Sequence, residues 1–140
     1  PFRICKLRTM TGANDAALFA SDESHRITRL GAFLRAKRID ELPQVWNVLL
    51  GQMSFIGPRP EQPKFYEEFA QTIHQYNLRQ VVKPGISGLA QVKSGYADDQ
   101  DSTRAKLRYD LHYIRNMNAG MDAYIIARTF RVLITGFGAK

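Results

Sequence analysis

The fold of this chain is decided by the segment IDELPQVWNVL at residues 39–49 and the segment MSFIGPRP at residues 53–60. The first segment places apolar residues at positions i, i+3, i+4 and i+7, namely Leu42, Val45, Trp46 and Leu49. That spacing predicts an amphipathic helix over residues 40–50, and Gly51 is a typical stop signal. The second segment predicts a rigid loop, because prolines on both sides of Arg59 fix φ.

The rest of the chain is also predicted to be mostly helical, from the spacing of its apolar residues. We expect further helices at residues 28–37, 61–70, 72–81, 103–116 and 122–135. Strands are predicted at 2–9 and, after a turn at 83–88, at 89–92, whereas 11–25 and 93–101 have the composition of polar loops. The expected fold class is therefore α+β and helix-rich, a compact single domain over residues 1–140 with a few short strands.

The composition is that of an ordinary globular protein, with 44% hydrophobic and 24% charged residues in 140. No apolar run reaches the roughly 20 residues that a membrane-spanning helix needs. Cys5 is the only cysteine, which excludes an intramolecular disulfide and a cysteine metal cluster and fits a reducing cytoplasm. The chain starts at Pro1 inside a predicted strand, so we expect it to be a truncated or processed piece of a longer protein.

The net charge of +7 indicates an anionic partner: nucleic acid, a phosphorylated small molecule or an anionic membrane surface. Residues 25–38 carry five basic residues and no acidic one. Taken alone, this stretch is typical of a solvated helix face. In the last predicted helix, Ile126, Phe130, Leu133 and Phe137 share one face, which fits either core packing or contact with a membrane surface.

The acidic pair Asp40-Glu41 has two interpretations. In the structural one, Asp40 is an N-cap and Glu41 a favourable first-turn charge. In the functional one, a helix N-terminus and nearby arginines keep Asp40 ionised, so that it can attack phosphorus, while the adjacent carboxylate helps to hold a divalent metal. Arg35 and Arg59 would then offset the charge of a diphosphate. The chain contains no P-loop, no GxGxxG and no GxSxG motif, and its three histidines lack metal-ligand spacing.

Seven short segments, in order along the chain, match one known pattern. They are KLRTM at 6–10, RITRLG at 26–31, FLR at 33–35, residues 39–49 and 53–60 as quoted above, VKPGISGLAQV at 82–92 and YDLHYI at 109–114. In this combination the chain resembles the bacterial sugar transferase family, the monotopic polyprenyl-phosphate phosphoglycosyl transferases. Each segment alone is weak, but their colinear order over nearly the whole chain is specific.

The resemblance implies an enzyme that moves a sugar 1-phosphate from a UDP-sugar to a polyprenyl phosphate such as undecaprenyl phosphate. It implies that Asp40 is the nucleophile, giving a covalent aspartyl-phosphosugar intermediate, and that Asp40 and Glu41 hold Mg²⁺. Further residues fall on the family's substrate-binding motifs: Lys6, Arg8, Arg35, Pro58, Arg59 and Gln91. The segment at 109–114 belongs to the pattern without an assigned role.

The resemblance also implies a place and a pathway. Family members act at the cytoplasmic face of the bacterial inner membrane, in the first membrane step of exopolysaccharide, capsule or O-antigen synthesis. An N-terminal membrane segment is expected in the family and is absent from these 140 residues. Whether the protein forms a homodimer is left open. The likeness of residues 91–96 to larger exopolysaccharide-type members slightly favours a hexose over an N-acetylated sugar in the donor.

Two other classes of function stay open at this point. One is a non-catalytic nucleic-acid-binding domain, which the charge favours, although the aromatic residues do not interleave with the basic ones and nucleic acid is not expected as a partner. The other is a non-catalytic basic domain at a membrane surface.

Overall fold

The computed structural model describes residues 2–12, 24–94 and 100–135 and shows a helix-rich α+β fold. Within these ranges there are six α-helices: α1 (Arg29–Ala36), α2 (Gln44–Leu49), α3 (Pro63–Thr72), α4 (Leu89–Ser94), α5 (Gln100–Asn116) and α6 (Ala119–Thr135). Two strands, β1 (Ser54–Ile56) and β2 (Gly85–Ser87), and 3₁₀ turns at Ser24–Arg26, Ile39–Glu41 and Tyr76–Val81 complete the elements. The expected fold class is confirmed.

The hydrophobic core consists of two clusters that flank α5. One joins the strands to α4, α5 and α6, through Ile56, Leu89, Val92, Tyr113 and Ile125. The other joins α3 and the third 3₁₀ turn to α5, through Phe65, Phe69, Ile73, Tyr76 and Leu107. No helix in the described part of the chain is long and apolar enough to cross a membrane.

The two strands pair in parallel, with Ser54 opposite Gly85 and Ile56 opposite Ser87. The pairing turns the predicted loop at 54–60 and the predicted turn at 83–88 into one structural unit. Its backbones approach so closely that a Cβ on Gly57, Gly85 or Gly88 would collide with main-chain atoms of the facing segment. Glycine is required at these positions because no side chain fits between the two backbones.

The predicted strand at residues 2–9 is wrong, because this segment is extended but has no strand partner. Its backbone is held instead by Asn47, whose Oδ1 accepts from Cys5 N at 3.0 Å and whose Nδ2 donates to Arg3 O at 2.8 Å. Leu7 N donates to Asp40 O at 3.0 Å. An isolated antiparallel bridge joins Met10 to Ile27 at the end of the segment.

The predicted helix at 40–50 is broken into two pieces. Arg38 takes the left-handed conformation at φ 51° and leads into the 3₁₀ turn Ile39–Glu41, and Pro43 then caps α2. Proline favours this break because it has no N–H to continue the hydrogen bonding of a preceding turn. The helix predicted at 28–37 is confirmed as α1, which begins after Thr28, whose hydroxyl accepts from Gly31 N at 2.9 Å.

The strand predicted at 89–92 is also wrong, since these residues begin α4. Leu89 and Val92 lie one helical turn apart and enter the same core cluster, which a strand would not allow. The helix predicted at 72–81 is only the 3₁₀ turn Tyr76–Val81, which follows Gln75 at φ 64°. Helices α3, α5 and α6 confirm the remaining helix predictions, with shifted ends. The predicted loops at 11–25 and 93–101 lie largely outside the described residues, as does Phe137.

Helix α2 and the residue Leu42 just before it expose the apolar residues that the sequence pattern singles out. Leu42, Trp46 and Leu49 are 63%, 60% and 72% exposed, whereas Gln44 and Asn47 are 2% and 1% exposed. Its inward face is therefore polar and its outward face apolar. On α6, Phe130 and Ile126 are exposed as well, at 61% and 43%, which contradicts core packing as the reason for their spacing.

Candidate active site

Glu41 is the centre of a cluster of cationic side chains. Its Oε1 accepts from Arg59 Nη2 at 2.6 Å and from Lys6 Nζ at 3.4 Å, and its Oε2 lies 3.8 Å from Arg38 Nη1. The Glu41 side chain is only 9% exposed. Burial raises the pKa of Glu41, but the charge and hydrogen bond of Arg59, followed by the charges of Lys6 and Arg38, hold it at about 2.

Each of these three cations reaches Glu41 from a different local structure. Lys6 comes from the extended segment that Asn47 holds. Arg38 lies in the turn after α1 and has a left-handed backbone conformation. Arg59 comes from the loop between Pro58 and Pro60, whose backbone is fixed where Gly85 N donates to Pro58 O at 2.9 Å. The acidic pair thus lies where three segments distant in sequence converge.

Asp40 is 8% exposed and lies in the same cluster. Burial, and next the negative charge of Glu41, raise the pKa of its carboxyl group, while the charges of Lys6 and Arg35 act in the opposite direction. Arg35 thus favours the ionised form of Asp40, as the sequence predicted, but burial and Glu41 outweigh it and the net pKa is raised. The expected N-cap role is wrong, because Pro43 occupies the N-cap position of α2.

Of the remaining predicted site residues, Arg35 and Gln91 lie near the acidic pair or its cavity, whereas Arg8 does not contact the pair. Arg35 lies close enough to lower the pKa of Asp40, and its Nε donates to Thr9 Oγ1 at 2.9 Å. Gln91 lines the same cavity as Glu41, and its Nε2 donates to Ile86 O at 3.1 Å. Arg8 is exposed, and within the described residues no hydrogen bond or ion pair joins it to the acidic pair.

Lys6 has a perturbed environment of its own. Partial burial, and next the charge of Arg59, lower its pKa, although Glu41 and Asp40 act in the opposite direction. Its side chain is 40% exposed, so it can reach a bound anion as well as Glu41. A lysine with a lowered pKa beside two buried carboxylates is typical of a functional site.

A cavity of about 330 Å³ opens beside Glu41 and Arg38. Apolar side chains from α2 and the residue before it, from the strands and from α6 make up most of its lining, including Leu42, Val45, Phe55, Ile86, Phe130 and Leu133. An apolar cavity that ends at ionised groups suits a ligand with an apolar part and a charged part.

The arrangement can bind phosphate groups and stabilise negative charge that develops in a transition state. Arg35, Arg38, Arg59 and Lys6 supply the positive charge, and Asp40 supplies a carboxylate oxygen that can act as a nucleophile. Among the described residues no group of three or more His, Cys, Asp or Glu side chains could hold a metal ion. Asp40 and Glu41 alone still suit Mg²⁺, which commonly binds one or two carboxylates together with substrate phosphates.

Two residues of the site were not singled out as site residues from the sequence. Arg38 stood in the basic stretch, and its i, i+3 spacing to Glu41 was the available signal. Asn47 was, with Gln44, a polar residue inside an apolar helical pattern, and it proves to hold the segment that carries Lys6.

The chain matches known proteins along its length. The family model described as bacterial sugar transferase covers residues 1–136. A UDP-N-acetylgalactosamine-undecaprenyl-phosphate N-acetylgalactosaminephosphotransferase of Aeromonas hydrophila is 50% identical over 99% of this chain and 33% of its own length. UDP-glucose:undecaprenyl-phosphate glucose-1-phosphate transferases of Klebsiella pneumoniae and Escherichia coli K12 are 40% and 38% identical, over 98% and 100% of this chain and 30% of their own length.

This chain therefore spans about a third of the length of these relatives. The match to the family model over residues 1–136, together with relatives that share 38–50% identity over nearly all of the chain, shows that the chain belongs to the bacterial sugar transferase family.

Proposed function

We propose that this chain is the catalytic part of an enzyme that transfers a sugar 1-phosphate from a UDP-sugar to a polyprenyl phosphate and releases UMP. The observation that carries the proposal is the buried pair Asp40-Glu41 surrounded by Lys6, Arg38 and Arg59. The names of the relatives supply the donor and acceptor classes, a UDP-sugar and undecaprenyl phosphate. The proposed setting is the cytoplasmic face of the bacterial inner membrane, in polysaccharide assembly.

The reaction proceeds in two displacements at one phosphorus atom. A carboxylate oxygen of Asp40 attacks the phosphorus that bears the sugar, the bond from that phosphorus to the UMP oxygen breaks, and UMP leaves. A phosphate oxygen of the acceptor then attacks the same phosphorus, and the bond to Asp40 breaks, which restores the carboxylate. Asp40 must be ionised in the first step, so its raised pKa makes the surrounding positive charge important.

Mg²⁺ would be held by Asp40 and Glu41 together with phosphate oxygens of the donor. It would supply positive charge that offsets the charge developing on the phosphoryl group. Oε2 of Glu41, at 3.8 Å from Arg38, is less engaged than Oε1 and is the freer oxygen of that carboxylate.

The apolar surface supports a lipid acceptor and contact with a membrane. The cavity beside Glu41 has the apolar lining that an isoprenoid chain needs. Leu42, just before α2, and Trp46 and Leu49 on α2 are exposed and close to the acidic pair in sequence. Apolar side chains next to a basic stretch are typical of binding to an anionic membrane surface.

The test is turnover by the full-length protein in membranes, with a UDP-sugar, undecaprenyl phosphate and Mg²⁺. We expect Asp40→Asn to reduce UMP release by at least about a thousandfold, because the amide cannot act as the nucleophile. The control is Glu67→Gln, at an exposed position on α3, which should retain wild-type turnover. Normal turnover in the Asp40→Asn variant would refute the assignment of the nucleophile.

The sugar is decided by the same assay run over a panel of UDP-sugars. The relative at 50% identity is named for N-acetylgalactosamine, and those at 40% and 38% identity are named for glucose. The higher identity favours an N-acetylhexosamine over the hexose that residues 91–96 suggest. UMP release from UDP-glucose alone would decide for the hexose. The homodimer stays a prediction, for which the mass of the purified full-length protein in nanodiscs is the measurement.

A further inference from the structure

We infer that Arg79, held by Asp110, is a positioning residue that fixes the backbone of the loop carrying Arg59 and thereby the contact between Arg59 and Glu41. Asp110 lies in the YDLHYI segment at 109–114, which had no assigned role beyond its place in the family pattern. The inference rests on the proposed function only through one of its two readouts.

Arg79 uses three of its guanidinium nitrogens for three different partners. Its Nε donates to Asp110 Oδ2 at 2.8 Å, its Nη1 to Tyr76 Oη at 2.6 Å and its Nη2 to Arg59 O at 2.8 Å. The guanidinium also lies 4.9 Å from the centre of the Tyr76 ring. The side chains of Arg79 and Asp110 are 9% and 3% exposed. A planar group with this many fixed contacts has little freedom to move.

The bond from Arg79 to the carbonyl oxygen of Arg59 connects this buried cluster to the active site. The same residue, Arg59, reaches Glu41 with its side chain at 2.6 Å. Pro58 and Pro60 restrict φ on both sides, so the direction of the Arg59 side chain follows from the position of its peptide group. On the far side, Gly85 N donates to Pro58 O at 2.9 Å, so the loop is held from both directions.

A lysine cannot replace Arg79 in this role. Its single ammonium group has no planar fork and cannot reach Asp110, Tyr76 and Arg59 O from one position. Asn at position 110 keeps a similar shape but removes the negative charge that orients Arg79. Both variants should let the Arg59 loop relax, and a small displacement of a group that acts on phosphate is enough to slow catalysis strongly.

The alternative is that Arg79 and Asp110 only connect the third 3₁₀ turn to α5, since breaking a buried ion pair destabilises any protein. Two comparisons separate these roles in the full-length protein. Phe69→Leu is the matched control, because Phe69 packs on Tyr76 in the same cluster, with ring centres 5.5 Å apart, and is not hydrogen-bonded to the Arg59 loop. It should lower stability without affecting the loop.

The first readout is a double-mutant cycle on kcat/KM for UMP release. We expect Arg79→Lys to lower kcat/KM by about tenfold to a hundredfold. In a background that already carries Arg59→Ala, the same change should lower kcat/KM by less than about threefold, because the contact it supports is gone. Phe69→Leu should have the same small effect in both backgrounds. Equal fold losses for Arg79→Lys with and without Arg59 would overturn the inference.

The second readout needs no substrate and is a double-mutant cycle on the free energy of unfolding at one pH value near 7. If Arg79 holds Arg59 in its 2.6 Å contact with Glu41, part of the stability lost in Arg79→Lys comes from the loss of that contact. We therefore expect Arg79→Lys and, to a smaller extent, Asp110→Asn to lower the free energy of unfolding less in a Glu41→Gln background than in the wild-type protein, whereas Phe69→Leu should lower it equally in both backgrounds. Equal losses in the two backgrounds for both Arg79→Lys and Asp110→Asn overturn the inference. If the wild-type protein releases UMP from no UDP-sugar, the proposed function fails and this stability cycle alone decides about Arg79.

Discussion

Helices α2 and α3 carry similar patterns of apolar residues, but α3 buries these residues whereas α2 exposes them to solvent. In α3, Phe65 and Phe69 are 8% and 7% exposed and form part of a core cluster. In α2, Trp46 and Leu49 are 60% and 72% exposed, while Asn47 is 1% exposed. The comparison shows that helical spacing identifies which residues share a face but does not decide which face lies inside.

The reason for the difference is the partner that each helix has. Helix α3 packs on the third 3₁₀ turn, and both form a cluster with α5 in which buried aromatic rings stabilise the fold. The inward side of α2 meets the backbone of residues 3–5, whose polar groups need hydrogen-bond partners that Asn47 supplies. The apolar side of α2 therefore stays exposed, and it is the surface that the proposed function assigns to membrane contact.

The largest effect on stability should come from removing a buried aromatic side chain of α3. Phe69→Ala removes a buried ring that packs on Tyr76, and we expect it to lower the free energy of unfolding by about 3–5 kcal/mol. Trp46→Ala removes a larger ring from α2, yet it should change the free energy by less than about 0.5 kcal/mol. Denaturant unfolding of both variants tests the contrast. A loss of several kcal/mol from Trp46→Ala would show that α2 buries its apolar face.

The next prediction concerns how the stability contributed by Glu41, in the polar region just before α2, depends on pH. The lowered pKa of Glu41 contributes stability that is complete above its ordinary value of 4.5 and is lost as the pH falls toward 2. The contribution is on the order of 3 kcal/mol. Asp40 acts with the opposite sign, since its raised pKa means that its ionisation reduces stability as the pH rises above 3.8.

Thermal unfolding between pH 2 and pH 7 should therefore separate the wild-type protein from Glu41→Gln. We expect the variant to be less stable near neutral pH and the two curves to converge toward pH 2. Phe69→Leu serves as the control, with a loss of stability that stays nearly constant over this range. Parallel curves for the wild-type protein and Glu41→Gln would contradict the ion-pair network around Glu41.

Asn47→Ala should have an effect of about 2 kcal/mol on the free energy of unfolding. The change leaves Cys5 N and Arg3 O without the partners they have now in two partly buried hydrogen bonds, and each hydrogen bond typically contributes about 0.5–1.5 kcal/mol. Lys6 follows directly in the chain, so the KM for the UDP-sugar should rise as well. The control is Asn116→Ala, at an exposed position at the end of α5, which should leave both the stability and the KM nearly unchanged.

The smallest effect on stability, and a clear one on binding, is expected at Leu49. Leu49→Ser should leave the free energy of unfolding within about 0.5 kcal/mol of the wild-type value, because the side chain is already in solvent. The same change should weaken binding to vesicles that contain anionic lipid by several fold, if α2 contacts the membrane. Unchanged binding in Leu49→Ser and in Trp46→Ser would exclude α2 from the membrane contact.

The sequence was sufficient for the fold class, for α1, α3, α5 and α6, and for the family, because these depend on local spacing and on one colinear pattern. It failed at residues 2–9 and 89–92, where the choice between strand and other structure depends on distant partners. The raised pKa of Asp40 could not be predicted, since burial depends on how three segments converge. The positioning role that we infer for Asp110 could not be predicted either, because its partner Arg79 lies 31 residues away in sequence.

The contact among Gly57, Gly85 and Gly88 is formed by main-chain atoms alone. The close approach of the two backbones at these glycines therefore does not depend on the side chains of the two segments. The segments as a whole are not independent, because Ile56, Leu89 and Val92 pack in the core cluster with α5 and α6. For protein engineering, residues 53–60 and 83–92 can be exchanged together between relatives if the three glycines and these core residues are kept. The cavity lining contributed by Phe55, Ile86 and Gln91 would then move with them as a unit.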